Sequence, residues 1–288
     1  MRAISIPNYD PMIVFQTCVN SISDENLRNR LSSLSNNIET AASNYQSKAL
    51  SKQLYTFPAI NCKNSDIALG SVTKQELTDV YSNQMVKQSK PARFYYDSLL
   101  QAAPRGRCPF CGMGQATTLD HYLPKSKYPQ LSVIPLNLVP CCKDCNVNKR
   151  SAVAVKAMVQ SLHPYFDHQN FINDQWLFAE VIHTKPASIK FLVQAPSHWD
   201  QISQARVQSH FSDYKLAARY SIEASNEIAC LKDVLSQYIN KWTENEIRDH
   251  LIIQANSYLK QHRNSWQTAM FQSLANSNWY CRGGFFDS

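Results

Sequence analysis

Two Cys-x-x-Cys pairs, separated by 30 residues, constrain this 288-residue chain more than any other feature of its sequence. They are Cys108/Cys111 and Cys142/Cys145. Four thiolates at this spacing can bind one zinc ion tetrahedrally, with each pair forming a tight turn at the metal. Cys141 adjoins the second pair, but the two-residue spacing favours Cys142 as the ligand and leaves Cys141 as a packing residue. We therefore predict a closed, structural Cys₄ zinc site.

The compartment follows from the same cysteines. The chain contains nine cysteines, an odd number, and its N-terminus lacks the apolar core of a signal peptide. In a reducing compartment such pairs indicate zinc rather than disulfides. No run of about 18 apolar residues is present, so no transmembrane helix is expected. These observations predict a cytoplasmic location.

The excess positive charge of the chain lies around these cysteines. The formal net charge is +7, and residues 87–150 contain ten Lys and Arg against three Asp, whereas the rest balances at 19 against 19. An ordinary solvated basic surface is one interpretation. A polyanion-binding surface is the other, and its coincidence with the zinc motif favours nucleic acid. The candidate nucleic-acid contacts are Lys125, Lys127, Lys149 and Arg150.

The remaining pattern is mostly helical. Apolar residues at three- and four-residue steps predict a long helix over about 24–53, and Thr73 with Glu76 predicts a capping box for a second helix. A third helix should start at Pro91. The motif region predicts two short strands, 117–122 and 136–140, and a helix over about 143–158. A two-stranded ribbon is expected at 176–182 and 188–193, followed by C-terminal helices.

An Asp-His dipeptide between the cysteine pairs carries the predicted chemistry. Asp120 is a hard oxygen donor that suits Mg²⁺ or Mn²⁺, and the His121 imidazole can remove a proton from water near neutral pH. Alone, such a pair is most often two hydrogen-bonded residues at the surface, so its significance depends on its position between the two cysteine pairs. In a regular strand the two side chains point to opposite faces, so a bulge or twist is expected to bring both to the substrate.

The whole stretch resembles the HNH (ββα-metal) endonuclease motif. The matching segments are the two cysteine pairs, Asp120-His121, Asn137-Leu138, Asn146 and Lys149. The resemblance implies that His121 is the general base, that Asp120 and Asn146 hold the catalytic ion, and that Asn137 braces the loop and orients the histidine. Many family members carry His where this chain has Asn146. The HNH domain of the RNA-guided CRISPR nuclease also has Asn there, and an amide oxygen favours Mg²⁺ over softer metals.

The sequence around the motif resembles that of a narrower group of HNH proteins. Residues 93–112 and 119–146 resemble the HNH effectors encoded beside ATPases in bacterial anti-phage systems of the Septu type, including retron-associated ones. That resemblance implies a bacterial defence nuclease with an ABC/SMC-like ATPase partner and, in some systems, a retron RNA or DNA component. The segment from His163 to Asp167 is interpreted either as a contributor to the site or as an aromatic connection that packs against the motif.

The expected fold class is mainly α with a small embedded α+β unit, the zinc-stapled ββα-metal nuclease, between helical N- and C-terminal regions. The predicted division is 1–90, 91–158, 159–198 and 199–288. Two other functions stay open: a zinc-ribbon binding module with a degenerate nuclease centre, and a helical scaffold that docks an ATPase. DNA is the favoured substrate, with RNA such as tRNA as the alternative.

Overall fold

The computed structural model describes residues 1–149, 154–167, 169–238 and 241–287, and the side chains of Asn148, Lys149 and Asp287 lie outside that description. The protein is mainly helical with small two-stranded antiparallel sheets, as expected for the fold class. It forms two compact units, one from Arg2 to Asp167 and one from residue 168 to 288 together with Met1. The boundary between them lies within the range 159–198 that the sequence assigned to a connection and a ribbon.

The first unit contains six helices and four strands within the residues described. In chain order they are α1 (Pro11–Asn20), α2 (Glu25–Ser32), α3 (Ser35–Leu50), β1 (Ile67–Leu69), β2 (Val72–Thr73), α4 (Lys74–Val80), α5 (Arg93–Gln101), β3 (Thr118–His121), β4 (Leu138–Cys141) and α6 (Lys143–Lys149). Helices α2 and α3 pack against α1, and α5 packs against both β3 and β4. The small β3–β4 sheet is therefore backed by helices.

The long helix predicted over 24–53 is interrupted at Ser33 and Leu34, between α2 and α3. Two serine hydroxyls bond to backbone carbonyls there: Ser33 Oγ donates to the Arg30 carbonyl at 2.7 Å and Ser35 Oγ donates to the Ser32 carbonyl at 2.8 Å. Such local bonds compete with the regular helical ladder. The prediction of one continuous helix was wrong at these two residues, although Leu34 stays buried as its apolar stripe requires.

The predicted capping box at α4 is confirmed. Thr73 accepts a bond from the Glu76 N–H, and the Glu76 carboxylate accepts one from the Thr73 N–H at 2.8 Å. Beyond Val80 the helix widens into a single π turn, Tyr81–Met85, closed by the Val86 N–H on the Tyr81 carbonyl at 3.0 Å. The apolar pattern of the sequence predicts ordinary α-helix at this turn.

Glu76 also links α4 to α2, because Arg30 makes two hydrogen bonds to its carboxylate, at 2.5 and 3.0 Å. The Arg30 guanidinium lowers the pKa of Glu76 to about 2, against an ordinary value of 4.5. The stabilisation is thus fully present above pH 4.5 and is lost as the pH falls towards 2. Glu76→Gln should lower the melting temperature by about 2–4 °C at neutral pH, and the difference from wild type should shrink in acid.

The control for that variant is Glu246→Gln in the second unit. Glu246 forms the same kind of capping box with Thr243, and its pKa is lowered by the Thr243 bonds alone. A melting-temperature difference for Glu76→Gln that persists unchanged at pH 2 would contradict the role given to Arg30.

The motif region contains strand, strand and helix in the predicted order. Strand β3 pairs with β4 without a bulge, with Thr118 opposite Cys141 and His121 opposite Leu138. The helix was predicted to run to about 158. The described part of α6 ends at Lys149, and residues 154–156 are not helical, so the predicted extension was wrong there. Ala157–Val159 forms a short 3₁₀ turn instead.

The second unit is built around a β-ribbon. The predicted strands are confirmed as β5 (Leu177–Ile182) and β6 (Ser188–Val193), which pair antiparallel. They pack on α9 and α11. Its helices are α7 (Asn170–Asn173), α8 (Gln201–Asp213), α9 (Leu216–Ser236), α10 (Glu244–Gln261), α11 (Trp266–Asn276) and α12 (Asn278–Cys281). No helix in the described parts of the chain has the length and apolarity needed to cross a bilayer.

Candidate functional site

The two cysteine pairs come together as one buried cluster. The sulfur atoms of Cys108, Cys111, Cys142 and Cys145 all lie within 4.8 Å of one another, and those of Cys111 and Cys142 are 3.8 Å apart. Zinc–sulfur bonds of about 2.3 Å in a tetrahedron place the sulfurs roughly 3.8 Å apart. The cluster therefore fits a zinc ion. Cys141 is buried in β4 and is not among the four.

Backbone hydrogen bonds shape each cysteine pair into a turn. In the first pair, the Gly112 N–H donates to the Cys108 carbonyl at 2.7 Å, and the Gly114 N–H donates to Cys111 Sγ at 3.4 Å. In the second, the Cys145 N–H donates to Cys142 Sγ at 3.5 Å. Gly112 has φ +74°, a left-handed conformation that glycine adopts without strain. Donors aimed at sulfur stabilise the thiolate form that zinc requires.

The cysteines also influence one another's protonation. Hydrogen bonding from Cys108 lowers the pKa of Cys111, and Cys142 and Cys145 act in the same direction. A bond with Cys108 is likewise the largest cause of the fall in the pKa of Cys142, to about 7. A thiol with a lowered pKa gives up its proton to a metal more readily. Burial raises the pKa of Cys108, and bonds with the other three cysteines raise that of Cys145, so two of the sulfurs favour the thiolate and two keep their protons until a metal binds.

Gly114 lies so close to the cluster that a side chain there would collide with it. A Cβ on Gly114 would lie 2.8 Å from both Cβ and Sγ of Cys142. Gly114→Ala should therefore displace Cys142 and weaken zinc binding by about 10- to 100-fold, measured by competition with a chromogenic chelator. Gly106→Ala is the control for a nearby glycine outside the cluster: its φ of +69° makes a side chain strained there, but no atom lies within 4 Å of the Cβ it would add. Equal zinc affinities in the two variants would contradict this prediction.

Asp120 and His121 are the last two residues of β3, and both are buried, with 8% of each exposed. Their ladder with β4 is regular, so their side chains leave the sheet on opposite faces. The bulge expected from the sequence is not found in this ladder. Any approach of both side chains to one substrate must therefore come from the twist at the end of the strand.

The His121 ring is fixed by a backbone carbonyl. Its Nε2 lies 2.8 Å from the Ser132 carbonyl oxygen, which can only accept a hydrogen bond, so Nε2 carries the proton. In the neutral ring Nδ1 is then the proton-accepting nitrogen. Ser132 is 2% exposed, and its hydroxyl donates to the Pro129 carbonyl at 2.6 Å. The orientation and tautomer of His121 thus depend on the fold of the loop between β3 and β4.

Asn137 closes the base of that loop. Its side chain is fully buried, its Oδ1 accepts from the Leu123 N–H at 2.7 Å, and its Nδ2 donates to the carbonyls of Leu123 and Leu131 at 3.0 and 3.3 Å. One amide therefore joins the outgoing and returning ends of the loop. Because Leu131 directly precedes Ser132, the same bonds hold the segment that contacts His121.

The other predicted contacts are distributed around this loop and α6. Asn146 is half-buried, and its N–H donates to the Cys142 carbonyl at 3.1 Å, in the helix that packs against β3. Lys125 Nζ donates to Ser82 Oγ at 2.9 Å, and Lys127 Nζ donates to Asn61 Oδ1 at 3.1 Å. The Lys149 side chain and Arg150 lie outside the described residues. Within the described residues, the four cysteines are the only cluster of three or more His, Cys, Asp and Glu able to hold a metal.

The segment from His163 to Asp167 packs beside the motif. The His163 ring stacks on Tyr122 with 4.0 Å between ring centres, its Nδ1 accepts from the Tyr165 N–H at 3.2 Å, and its Nε2 lies 3.0 Å from the Tyr45 hydroxyl. The Tyr165 hydroxyl donates to the Leu138 carbonyl at 2.7 Å, opposite His121 in the ladder. Asp167 accepts from the His163 N–H. These contacts form an aromatic cluster against the β3–β4 sheet.

Two contributors to the site have no signal in the sequence. One is the Ser132 carbonyl, because a backbone carbonyl carries no residue preference. The other is Tyr81, whose ring meets the His121 ring edge-on at 4.5 Å between centres. In the sequence Tyr81 fits the apolar stripe of a helix, and only the tertiary fold brings it to the site.

The fold and the cysteine cluster define the protein as a mainly helical one with a four-cysteine site that could bind zinc. It is 31% identical to protein ea31 of Escherichia phage lambda over 296 aligned residues, which cover 98% of this chain and all of that protein. The chain belongs to the ea31 family. No protein-family profile matches it, and no solved structure does.

Proposed function

We propose that this protein is a metal-dependent endonuclease of the HNH type, which hydrolyses phosphodiester bonds in nucleic acid. The observation that carries the proposal is the environment of His121. Its imidazole stands at the end of a strand fastened to a cysteine cluster, beside Asp120, with its tautomer set by the Ser132 carbonyl. A histidine in that state is suited to accept a proton.

The resemblance implies two metal ions, which would have different ligands and different roles. Zinc on the four cysteines would be structural, because four thiolates leave no open coordination position. Asp120 and Asn146 would hold a hard divalent cation between β3 and α6, two elements that contact each other. Mg²⁺ keeps several waters and needs only one or two carboxylates from the protein, so this short donor set fits it. When bound, the cation supplies charge neutralisation at the phosphate.

The residues of the chain account for the proton transfer. His121 Nδ1 takes a proton from a water molecule as the water oxygen forms its bond to phosphorus. The bond from phosphorus to the leaving oxygen breaks, and that oxygen takes its proton from solvent. The imidazolium then returns its proton to solvent through Nδ1, because Nε2 stays bonded to the Ser132 carbonyl. Asn137 keeps that carbonyl in place through Leu131.

The positive charge around the site supports a polyanionic substrate. Residues 87–150 hold the entire charge excess of the chain, and the Lys125 and Lys127 ammonium groups project from the loop that also contacts His121. Phosphate contacts by lysine are independent of sequence and sensitive to salt. Phosphate contacts do not distinguish DNA from RNA, so the substrate test below includes both.

The test is direct incubation of the purified, zinc-loaded protein with plasmid DNA and with total RNA, with Mg²⁺ or with no added divalent ion. Each reaction is run with and without the product of the neighbouring gene, because the resemblance to defence effectors implies an ATPase partner. We expect Mg²⁺-dependent cleavage of one of the two nucleic acids. If neither is cleaved under any of these conditions by protein with full zinc content, the proposal is wrong.

A further inference from the structure

The π turn after α4 brings Tyr81 into contact with two groups of the site. The Tyr81 ring meets the His121 ring edge-on, with 4.5 Å between centres and 73° between planes. Lys125 Nζ lies 5.1 Å from the centre of the same Tyr81 ring, and it donates a hydrogen bond to Ser82, the next residue of the turn. One aromatic ring therefore contacts both an imidazole and an ammonium group.

The π turn begins at Tyr81, and the side chain of that residue reaches the small sheet. Tyr81 is 8% exposed, and its hydroxyl lies 3.4 Å from the Leu119 carbonyl of β3. Single π turns are rare and lie frequently at functional sites. The Tyr81 side chain thus connects the end of α4 to the strand that carries Asp120 and His121.

Lys125 carries a half-buried positive charge beside the π turn. Burial lowers the pKa of Lys125, and the carboxylate of Asp79 opposes that shift from a distance. Among the described residues, no carboxylate lies within 4 Å of its ammonium group, which contacts the Ser82 hydroxyl and the Tyr81 ring. A half-buried ammonium group without a salt bridge is costly to maintain. A phosphate oxygen would compensate for that cost.

We propose that Tyr81 is a positioning residue, whose ring holds the His121 imidazole and the Lys125 ammonium so that both act on the same stretch of phosphodiester backbone. The two measured separations share the Tyr81 ring centre, so the ammonium lies no farther than their sum from the imidazole centre. One DNA strand carries a phosphate about every 3.4 Å along the helix axis, so this upper limit spans only a few phosphates. Lys125 then binds a phosphate while His121 acts at the scissile bond. This inference rests on the proposed nuclease function.

The test compares Tyr81→Leu with Tyr81→Phe. The phenylalanine keeps the ring and loses only the long hydroxyl contact, so we expect kcat and KM near wild type. Leucine removes the ring face and edge, and we expect kcat to fall roughly 10- to 100-fold, because a misplaced catalytic group costs that much. Tyr220→Leu is the matched control, a buried tyrosine of the second unit that packs on Phe191 and Phe211. It should lower stability without changing kcat.

A separate binding experiment tests the role of Lys125 as a phosphate contact. Affinity for a fluorescein-labelled oligonucleotide is measured against salt, with no divalent ion added. Lys125→Gln should reduce the salt slope by about one, as the loss of one phosphate contact requires. Lys241→Gln, which removes an equal charge from an exposed lysine of the second unit, should not. Tyr81→Leu should reduce the slope as Lys125→Gln does, and the double variant should lose no more than either alone.

The outcomes separate this inference from the function on which it rests. If wild type cleaves and Tyr81→Leu keeps its kcat, or if Tyr81→Phe is as impaired as Tyr81→Leu, the positioning role of the ring is wrong. If wild type cleaves nothing, the proposed function fails, and the binding experiment alone decides whether Tyr81 supports Lys125. An unchanged salt slope in both Lys125→Gln and Tyr81→Leu overturns the inference in either case.

Discussion

Replacing His121 with alanine is expected to lower the cleavage rate by about 10²- to 10⁴-fold, the usual contribution of a general base. This corresponds to roughly 3–5 kcal/mol of transition-state stabilisation. The reason is that the Ser132 carbonyl holds the proton on Nε2 and leaves Nδ1 as the basic nitrogen. Because Asp120 and Asn146, the residues proposed to bind the metal, are untouched, KM should change much less than kcat. Single-turnover cleavage of the substrate found active would measure both.

Two further variants make the His121 result interpretable. His121→Gln keeps an N–H near the position of Nε2, able to reach the Ser132 carbonyl, but has no basic nitrogen, so it should fold like wild type and be as inactive as the alanine variant. His210→Ala is a matched control, because His210 is a fully buried histidine of the second unit to which we assign no chemistry. Zinc content and circular dichroism should be unchanged in both His121 variants. Full activity in His121→Gln would exclude His121 as the base.

Loss of zinc is expected to have the largest effect on stability. Structural zinc in small domains contributes about 10–16 kcal/mol of apparent binding free energy at neutral pH, and a whole domain is stable by only about 5–15 kcal/mol. Cys145→Ser should therefore unfold the β3–β4 hairpin and α6, and it should abolish stoichiometric zinc binding. The second unit has its own ribbon and helices. A calorimetric scan should accordingly retain a transition from that unit.

Cys141→Ala is the control for the zinc experiment. Cys141 is as buried as the four ligands and adjoins one of them, but it lies outside the cluster. It should keep one zinc per chain by elemental analysis and lose only the small amount of stability that a shortened buried side chain costs. If Cys141→Ala lost the metal and Cys142→Ala kept it, the assignment of ligands from their spacing would be wrong.

Local sequence signals predicted the parts of this protein that depend on local chemistry. The cysteine spacing gave the cluster, because a Cys-x-x-Cys turn forms within four residues. The Thr73–Glu76 capping box and the β5–β6 ribbon were readable for the same reason. The two motif strands were predicted within one or two residues of their observed ends.

The failures have physical causes of another kind. Serine hydroxyls bond to backbone carbonyls at the break in the helix predicted over 24–53, and apolar periodicity does not register such bonds. The π turn looks like α-helix in the sequence, because both place apolar residues at similar intervals. The contact of Tyr81 with His121 joins positions 40 residues apart, and the bond from His121 ends on a backbone atom. No pattern of residues in the sequence predicts either contact.

The β3–β4 loop has a consequence for the order in which this unit assembles. The two strands are joined by a long loop. Closing that loop costs chain entropy that is not repaid until the strands pair. A cysteine turn forms without any such closure, so one pair can capture zinc while the rest of the chain is still unstructured. The second pair then meets a metal already in place. Refolding of the first unit should accordingly speed up with added zinc, while that of the second unit should not.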